Sequence, residues 1–229
     1  MATTDSRIVP LLLSVNAGYV DTAGFLALQG LFTAHVTGNF VTFGAALALG
    51  TSGAIAKLLA LPVFCVVVIA TRLTGTLLSR RWSRAFEILI AVKLVLLVLG
   101  AALAIHFGPF HNGDSHEAIL TGMVLVAAMA IQNAVHRIHL PTSPPSTLMT
   151  GTTTQVMIDI ADKIYVGDKG QAPPPARLVQ MAVNVAAFAL GCGAAALLFV
   201  RLGSWCFVIP PVVAALTLVA RMAGPPPAR

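Results

Sequence analysis

Asp21, His35, Thr37, Gly38 and Asn39 are the residues of this chain best suited to bind or move a polar solute. They sit in NAGYVDTAGFLALQGLFTAHVTGNFVTFGAALALG, Asn16 to Gly50, a run otherwise apolar enough for a bilayer. Asp21 lies about fourteen residues into the first apolar segment, too deep to reach the interface. An ionised carboxylate there costs at least about 2.5–3.5 kcal/mol on insertion scales. It must be neutral, paired or facing water. That makes it either a proton or cation site or a bond to the surroundings, with Arg72 or a backbone amide as partner. Thr37-Gly38-Asn39 reads as the start of a helix: Thr and Asn cap well, and Gly lets a backbone approach closely. A helix N-terminus offers unpaired N–H groups and partial positive charge. His35, two residues earlier, is of the type that exchanges protons near neutral pH.

The pattern occurs twice. HVTGN, His35 to Asn39, aligns with LMTGT, Leu148 to Thr152, so that Thr37-Gly38 matches Thr150-Gly151. Asp21 precedes Thr37 by sixteen residues and Asn133 precedes Thr150 by seventeen, so one inserted residue restores the register. The candidate substrate-binding set is therefore Asp21, His35, Thr37, Gly38, Asn39, Asn133, Thr150, Gly151 and Thr152. Two helix N-termini would meet from opposite sides of the membrane midplane and could bind an anion or a polar neutral solute, or repel cations.

The elements that must hold these residues are membrane helices. The chain is 57% hydrophobic and 10% charged, against about 25% charged in soluble domains. Its mean hydropathy is +0.88. The apolar runs suit a hydrocarbon core of about 30 Å, and the alternation of a membrane β-barrel is absent. The net charge of +6 does not mark a nucleic-acid binder, because the basic residues fall between apolar segments. Cys65, Cys192 and Cys206 are widely spaced within apolar runs and suggest packing, not a disulfide framework or zinc site. Arg7 and IVPLLLSVNA could pass for a short signal peptide, but apolar character resumes after Asp21, and a retained first helix is expected.

Eight apolar segments can be marked: about Ile8–Leu28, Leu31–Leu49, Leu58–Leu78, Ala85–Phe107, Ala118–Val135, Thr147–Ile160, Ala176–Val200 and Trp205–Val219. If all eight cross, Lys and Arg divide evenly between the two sides. If segments two and six dip in and return, only Lys57 and Arg201 lie outside, with every other Lys and Arg inside. The second arrangement obeys the positive-inside rule. The expected fold is all-α integral membrane, with six transmembrane helices plus two re-entrant or broken helices; eight full spans is the alternative. Three spans per half would make an inverted internal repeat, 1–110 and 111–229, within one integrated membrane domain. Such repeats, with interrupted helices near the midplane, recur in transporters.

Asp21 with AGFLALQGLF, then HVTGN, IQNAV and LMTGTTTQ, resembles the YoaK-type family of bacterial inner-membrane proteins, over nearly the whole chain. Arg72 in TRLTG departs from the small residue expected there. The resemblance implies a multi-spanning protein of the bacterial inner (plasma) membrane and brings no settled activity, substrate or catalytic residue.

Other polar residues read more plainly. Glu87 and Lys93 would snorkel to the cytoplasmic interface, and Asp159 and Asp162 would form a solvated helix end beside Lys163. His106, His111 and His116 make a weak metal pattern, and no metal or cofactor is expected. No HExxH, P-loop or Ser–His–Asp grouping supports an enzyme. The expected function is a small-solute membrane transporter or channel of unknown substrate, with both termini cytoplasmic. The alternative is a non-transporting membrane scaffold or sensor. The expected partners are the lipid bilayer, an unknown small solute and a second copy of the chain, and not nucleic acid.

Overall fold

The computed structural model describes residues 5–81, 84–166 and 174–223. Every regular element among them is helical: α1 (Asp5–Ala27), α2 (Gly38–Leu49), α3 (Ala54–Arg81), α4 (Ala85–Phe107), α5 (His116–His139), α6 (Met149–Val166), α7 (Pro175–Leu202) and α8 (Ile209–Ala223). A 3-10 turn over Gly203–Val208 joins the last two. Among the described residues five stretches are long and apolar enough to cross a membrane, and the fifth, Ala176–Ala223, runs through α7 and α8. At 12 residues, α2 rises only about 18 Å, short of the roughly 30 Å core. α6 has 18 residues, but Asp159, Asp162 and Lys163 interrupt its apolar character.

Local sequence explains the helix ends. The Ser115 hydroxyl accepts from the Ala118 N–H at 3.2 Å and opens α5. Glu117 in its first turn and Arg137 in its last complement the helix dipole. Asp114 opens α3 from a distance: its carboxylate accepts from the N–H groups of Gly53 (2.8 Å), Ile55 (2.8 Å) and Ala56 (3.4 Å).

α1 and α5 form the centre. Two thirds of each one's apolar window is buried (67%), against 22% for α3. α1 packs on α7 and α8, while α5 packs on α3 and α4. α2 packs on α3 and α6 on α7, and α4 meets α8. Exchanging α1 with α5, α2 with α6, α3 with α7 and α4 with α8 carries these pairs into one another. The α1–α7 crossing is the tightest. A Cβ on Gly18 would overlap the carbonyl oxygen of Phe188, and one on Gly191 would overlap that of Val15. Gly193, the other glycine of the GCG motif, faces open space.

The chain enters and leaves α2 at one end of the molecule. Gln29, just after α1, donates to the Phe110 carbonyl at 2.9 Å. Ser52, just after α2, accepts from the Gly113 N–H at 3.1 Å. Both ends of the segment are thus tied to the link 108–115. The other broken element belongs to the opposite end of α4. There Arg221 of α8 pairs with Glu87 at 3.4 Å and covers the Phe86 ring at 5.1 Å. His139, ending α5, meets the same ring edge-on at 5.8 Å, so the link 140–148 starts at this end. α6 then returns towards the start of α7, where its Asp159 lies 4.0 Å from Arg177. The two broken elements therefore open at opposite ends of α4.

Candidate functional site

The first cluster is built on Asp21, two turns before the end of α1. Its Oδ1 accepts from three successive backbone N–H groups, Thr33 at 2.8 Å, Ala34 at 2.7 Å and His35 at 3.3 Å, with the Thr33 hydroxyl at 3.5 Å. Asp21 is buried. The fan of amides offsets part of the cost of burying a carboxylate. The expected structural partner of Asp21 is thus backbone amide, and among the described residues no ion pair joins it to Arg72.

Asn39 holds the same lead from the other side. Its Oδ1 accepts from the Phe32 N–H at 2.9 Å and its Nδ2 donates to the Phe32 carbonyl at 2.8 Å. The Phe32 ring packs between those of Phe25 and His35 in tilted pairs, with centroids 4.9 and 5.6 Å away. Gly38 lets the lead pack closely, since a Cβ there would lie 3.0 Å from the Phe32 ring. Thr37 occupies the N-cap of α2 with helical backbone angles and makes no side-chain cap bond. The capping expected of Thr37 is therefore corrected: the TGN box works through Gly38 and Asn39, and Thr37 is left exposed along with His35.

The second cluster repeats this plan in weaker chemistry. Asn133 Oδ1 accepts from the Thr147 hydroxyl, and its Nδ2 donates to the Met129 carbonyl at 3.0 Å. A polar residue on α1 or α5 thus holds the lead into the short helix in each half. The separations are 13 residues for Asp21–Ala34 and 14 for Asn133–Thr147. Thr150 and Gly151, however, lie inside the first turn of α6 and are exposed, and a Cβ on Gly151 would meet nothing within 4 Å. The close approach expected at Gly151 is not made within one chain. Thr152 is buried and returns its hydroxyl to the Leu148 carbonyl at 2.9 Å.

Further symmetry appears on the packed faces of the short helices. Asn39, Thr42 and Ala46 of α2 match Thr152, Gln155 and Asp159 of α6 in the same register. The third position differs: Ala46 and Asp159 are both buried. Asp159 Oδ1 accepts from Gln155 Nε2 at 2.6 Å, so Asp159 is not the solvated residue expected. Asp162 is exposed, as expected.

The two clusters remain separate within one chain. Among the described residues α2 contacts α3 and α6 contacts α7, and the short helices do not contact each other. Their outward faces are open. Phe40 and Val41 of α2 are exposed, and a shallow groove on α6 is lined by Met149, Thr150, Thr153, Thr154 and Met157. No three His, Cys, Asp or Glu among the described residues are placed to hold a metal.

One cluster has no counterpart in the motif reading. Lys93 on α4 is fully buried and donates to Gln132 Oε1. Gln132 Nε2 donates in turn to the Leu13 carbonyl at 2.9 Å and to Ser146 Oγ at 3.1 Å. The snorkelling expected of Lys93 is corrected, since its side chain turns inward against α5. The signal was a lone cation inside ILIAVKLVLLV and a Gln beside Asn133.

These features define a multi-spanning, all-α membrane protein with two interrupted elements held by polar side chains of the central helices α1 and α5. Residues 9–220 match the family described as "Protein of unknown function (DUF1275)", and the chain belongs to that family. It is similar to the UPF0700 transmembrane protein YoaK of Bacillus subtilis (strain 168), with 32% identity over 160 residues, 67% of each chain. No solved structure matches it.

Proposed function

We propose that the chain is a small-solute transporter or channel of the bacterial inner membrane, with both termini cytoplasmic. The observation that carries this reading is the pair of broken elements opening at opposite ends of α4. Each is led in by a stretch of backbone held by a polar residue of a central helix, buried Asp21 in the first half and half-buried Asn133 in the second. The exchange of packing partners between 1–110 and 111–229 supports an inverted repeat, an arrangement that gives transporters two alternating mouths. Asp21, His35, Thr37, Gly38 and Asn39 serve one mouth, and Asn133, Thr150, Gly151 and Thr152 the other. The solute passes between them, with the open faces of α2 and α6 closed by lipid or by a second copy.

A second reading, a membrane scaffold or sensor without transport, draws on a specific observation. Asp21 Oδ1 and both polar atoms of the Asn39 side chain are already engaged with the lead 32–35. Purified protein in liposomes, tested against a broad panel of ions and small polar solutes, separates the two. Transport predicts flux of at least one solute, lowered about tenfold or more by Asp21→Asn and by Asn39→Ala in folded protein, the scale of losing one buried polar interaction. Flux of no panel member favours the scaffold. Flux unchanged in both variants removes these residues from the pathway.

A further inference from the structure

We propose that Lys93 is a proton-exchanging site that controls the link 140–148 through Gln132. This stands apart from solute transport and needs no solute. Lys93 lies eight residues beyond the start of α4, about 12 Å along the helix, and has no measurable exposure (0%). Among the described residues no carboxylate lies within ion-pair distance of it. Its hydrogen-bond partner there is an amide oxygen, that of Gln132, although an ammonium has three N–H groups to place. A buried cation without a counter-charge is costly. This site can resolve that cost by exchanging a proton, because no anion sits beside the amine.

The consequence follows from the amide. Lys93 donating to Oε1 turns Nε2 of Gln132 towards the Leu13 carbonyl and the Ser146 hydroxyl. Ser146 belongs to the link that feeds α6. With Lys93 charged, the bond to Oε1 is charge-assisted and about twice as strong as a neutral one. With Lys93 neutral, Gln132 is held less firmly, and so is Ser146. The proton passes to and from water admitted when the link loosens. The first half is held differently, by the carboxylate of Asp21, which grips its lead through three backbone amides.

Other ionisable groups on the neighbouring elements must be separated from Lys93. His136, one turn along α5 from Gln132, approaches the Ser143 carbonyl at 3.4 Å and so also touches the link. His139 on α5, Glu87 on α4 and Arg221 on α8 form the group at the end of the bundle. Arg72 lies on α3, and Asp21 and Tyr19 on α1.

The test uses the full chain in nanodiscs across about pH 6 to 10, which spans the range recorded for lysines. One readout is the 15N signal of the Lys93 amine, assigned by its loss in Lys93→Met. The other is deuterium uptake of peptides covering 140–148, corrected for the intrinsic pH dependence of exchange. The expected result is a change of the Lys93 signal from ammonium to amine. In step with it, protection of the link falls about fivefold, the scale of weakening one charge-assisted bond. Lys93→Met and Gln132→Leu should abolish the pH dependence of protection, and His136→Gln should keep it. Ser146→Ala, which removes only a hydroxyl, serves where either of the first two fails to fold and should likewise abolish it. A Lys93 signal that stays in one form throughout overturns the proposal. So does pH-dependent protection that survives in Lys93→Met or Ser146→Ala, or that disappears in His136→Gln. Solute flux enters neither readout, so failure here leaves the transport reading to its own test.

Discussion

Replacing Asp21 by alanine is expected to destabilise the folded protein by about 3 kcal/mol or more, read as a lowered unfolding midpoint in detergent. The reason is the number of donors left behind. Three successive N–H groups, those of Thr33, Ala34 and His35, converge on Oδ1. Thr33 and Ala34 are buried, so water cannot readily replace the carboxylate. Each buried donor left unpaired costs about 1–3 kcal/mol, and relaxation of the lead recovers part of the sum. Asp21→Asn retains a carbonyl oxygen for the same donors and should lose markedly less. If the two variants unfolded at the wild-type midpoint, the amide fan would have no energetic weight.

The second large effect is expected at the α1–α7 crossing. Gly18→Ala and Gly191→Ala should each destabilise by about 1–3 kcal/mol or more, the range for overpacking a tight contact. At both positions the added methyl meets backbone carbonyl, of Phe188 and Val15 respectively, which cannot rotate aside as a side chain can. The helices must move apart, and this is the broadest helix pairing in the bundle. Gly193→Ala is the internal control. Its Cβ enters open space, and alanine favours helix over glycine by about 0.8–1.0 kcal/mol. It should be neutral or stabilising by the same thermal measurement. A Gly18→Ala or Gly191→Ala protein as stable as wild type would show that the helices are not in close contact.

The broken character of 28–49 was readable because several signals agree there. Glycines punctuate the run, a return obeys the positive-inside rule where a crossing gives no bias, and TGN spells the start of a helix that does begin at Gly38. The need of Asp21 for a partner was readable too. That its partners are three main-chain amides twelve to fourteen residues on was one of two options, since backbone donors leave no mark on residue identity. The repeated Thr-Gly pair misled in one respect. α2 starts at its Gly38, whereas α6 starts at Met149, before its Thr-Gly pair, so equal letters occupy unequal places. Lys93 was misplaced because depth along a helix does not say which side of it meets a neighbour. The packing of α4 on α5 turns that side inward. Asp159 was misread similarly: only the docking of α6 on α7 buries it.

The opposite openings of the two broken elements are tested most directly by sided labelling. In a chain with Cys65, Cys192 and Cys206 replaced by alanine, Thr51→Cys and Thr142→Cys each place one thiol at an exposed position. One follows α2 and the other precedes α6. With a membrane-impermeant reagent on intact cells, Thr51→Cys should label from outside and Thr142→Cys only after the membrane is opened. Labelling of both from the same side would contradict the inverted arrangement and, with it, the proposal of two alternating mouths.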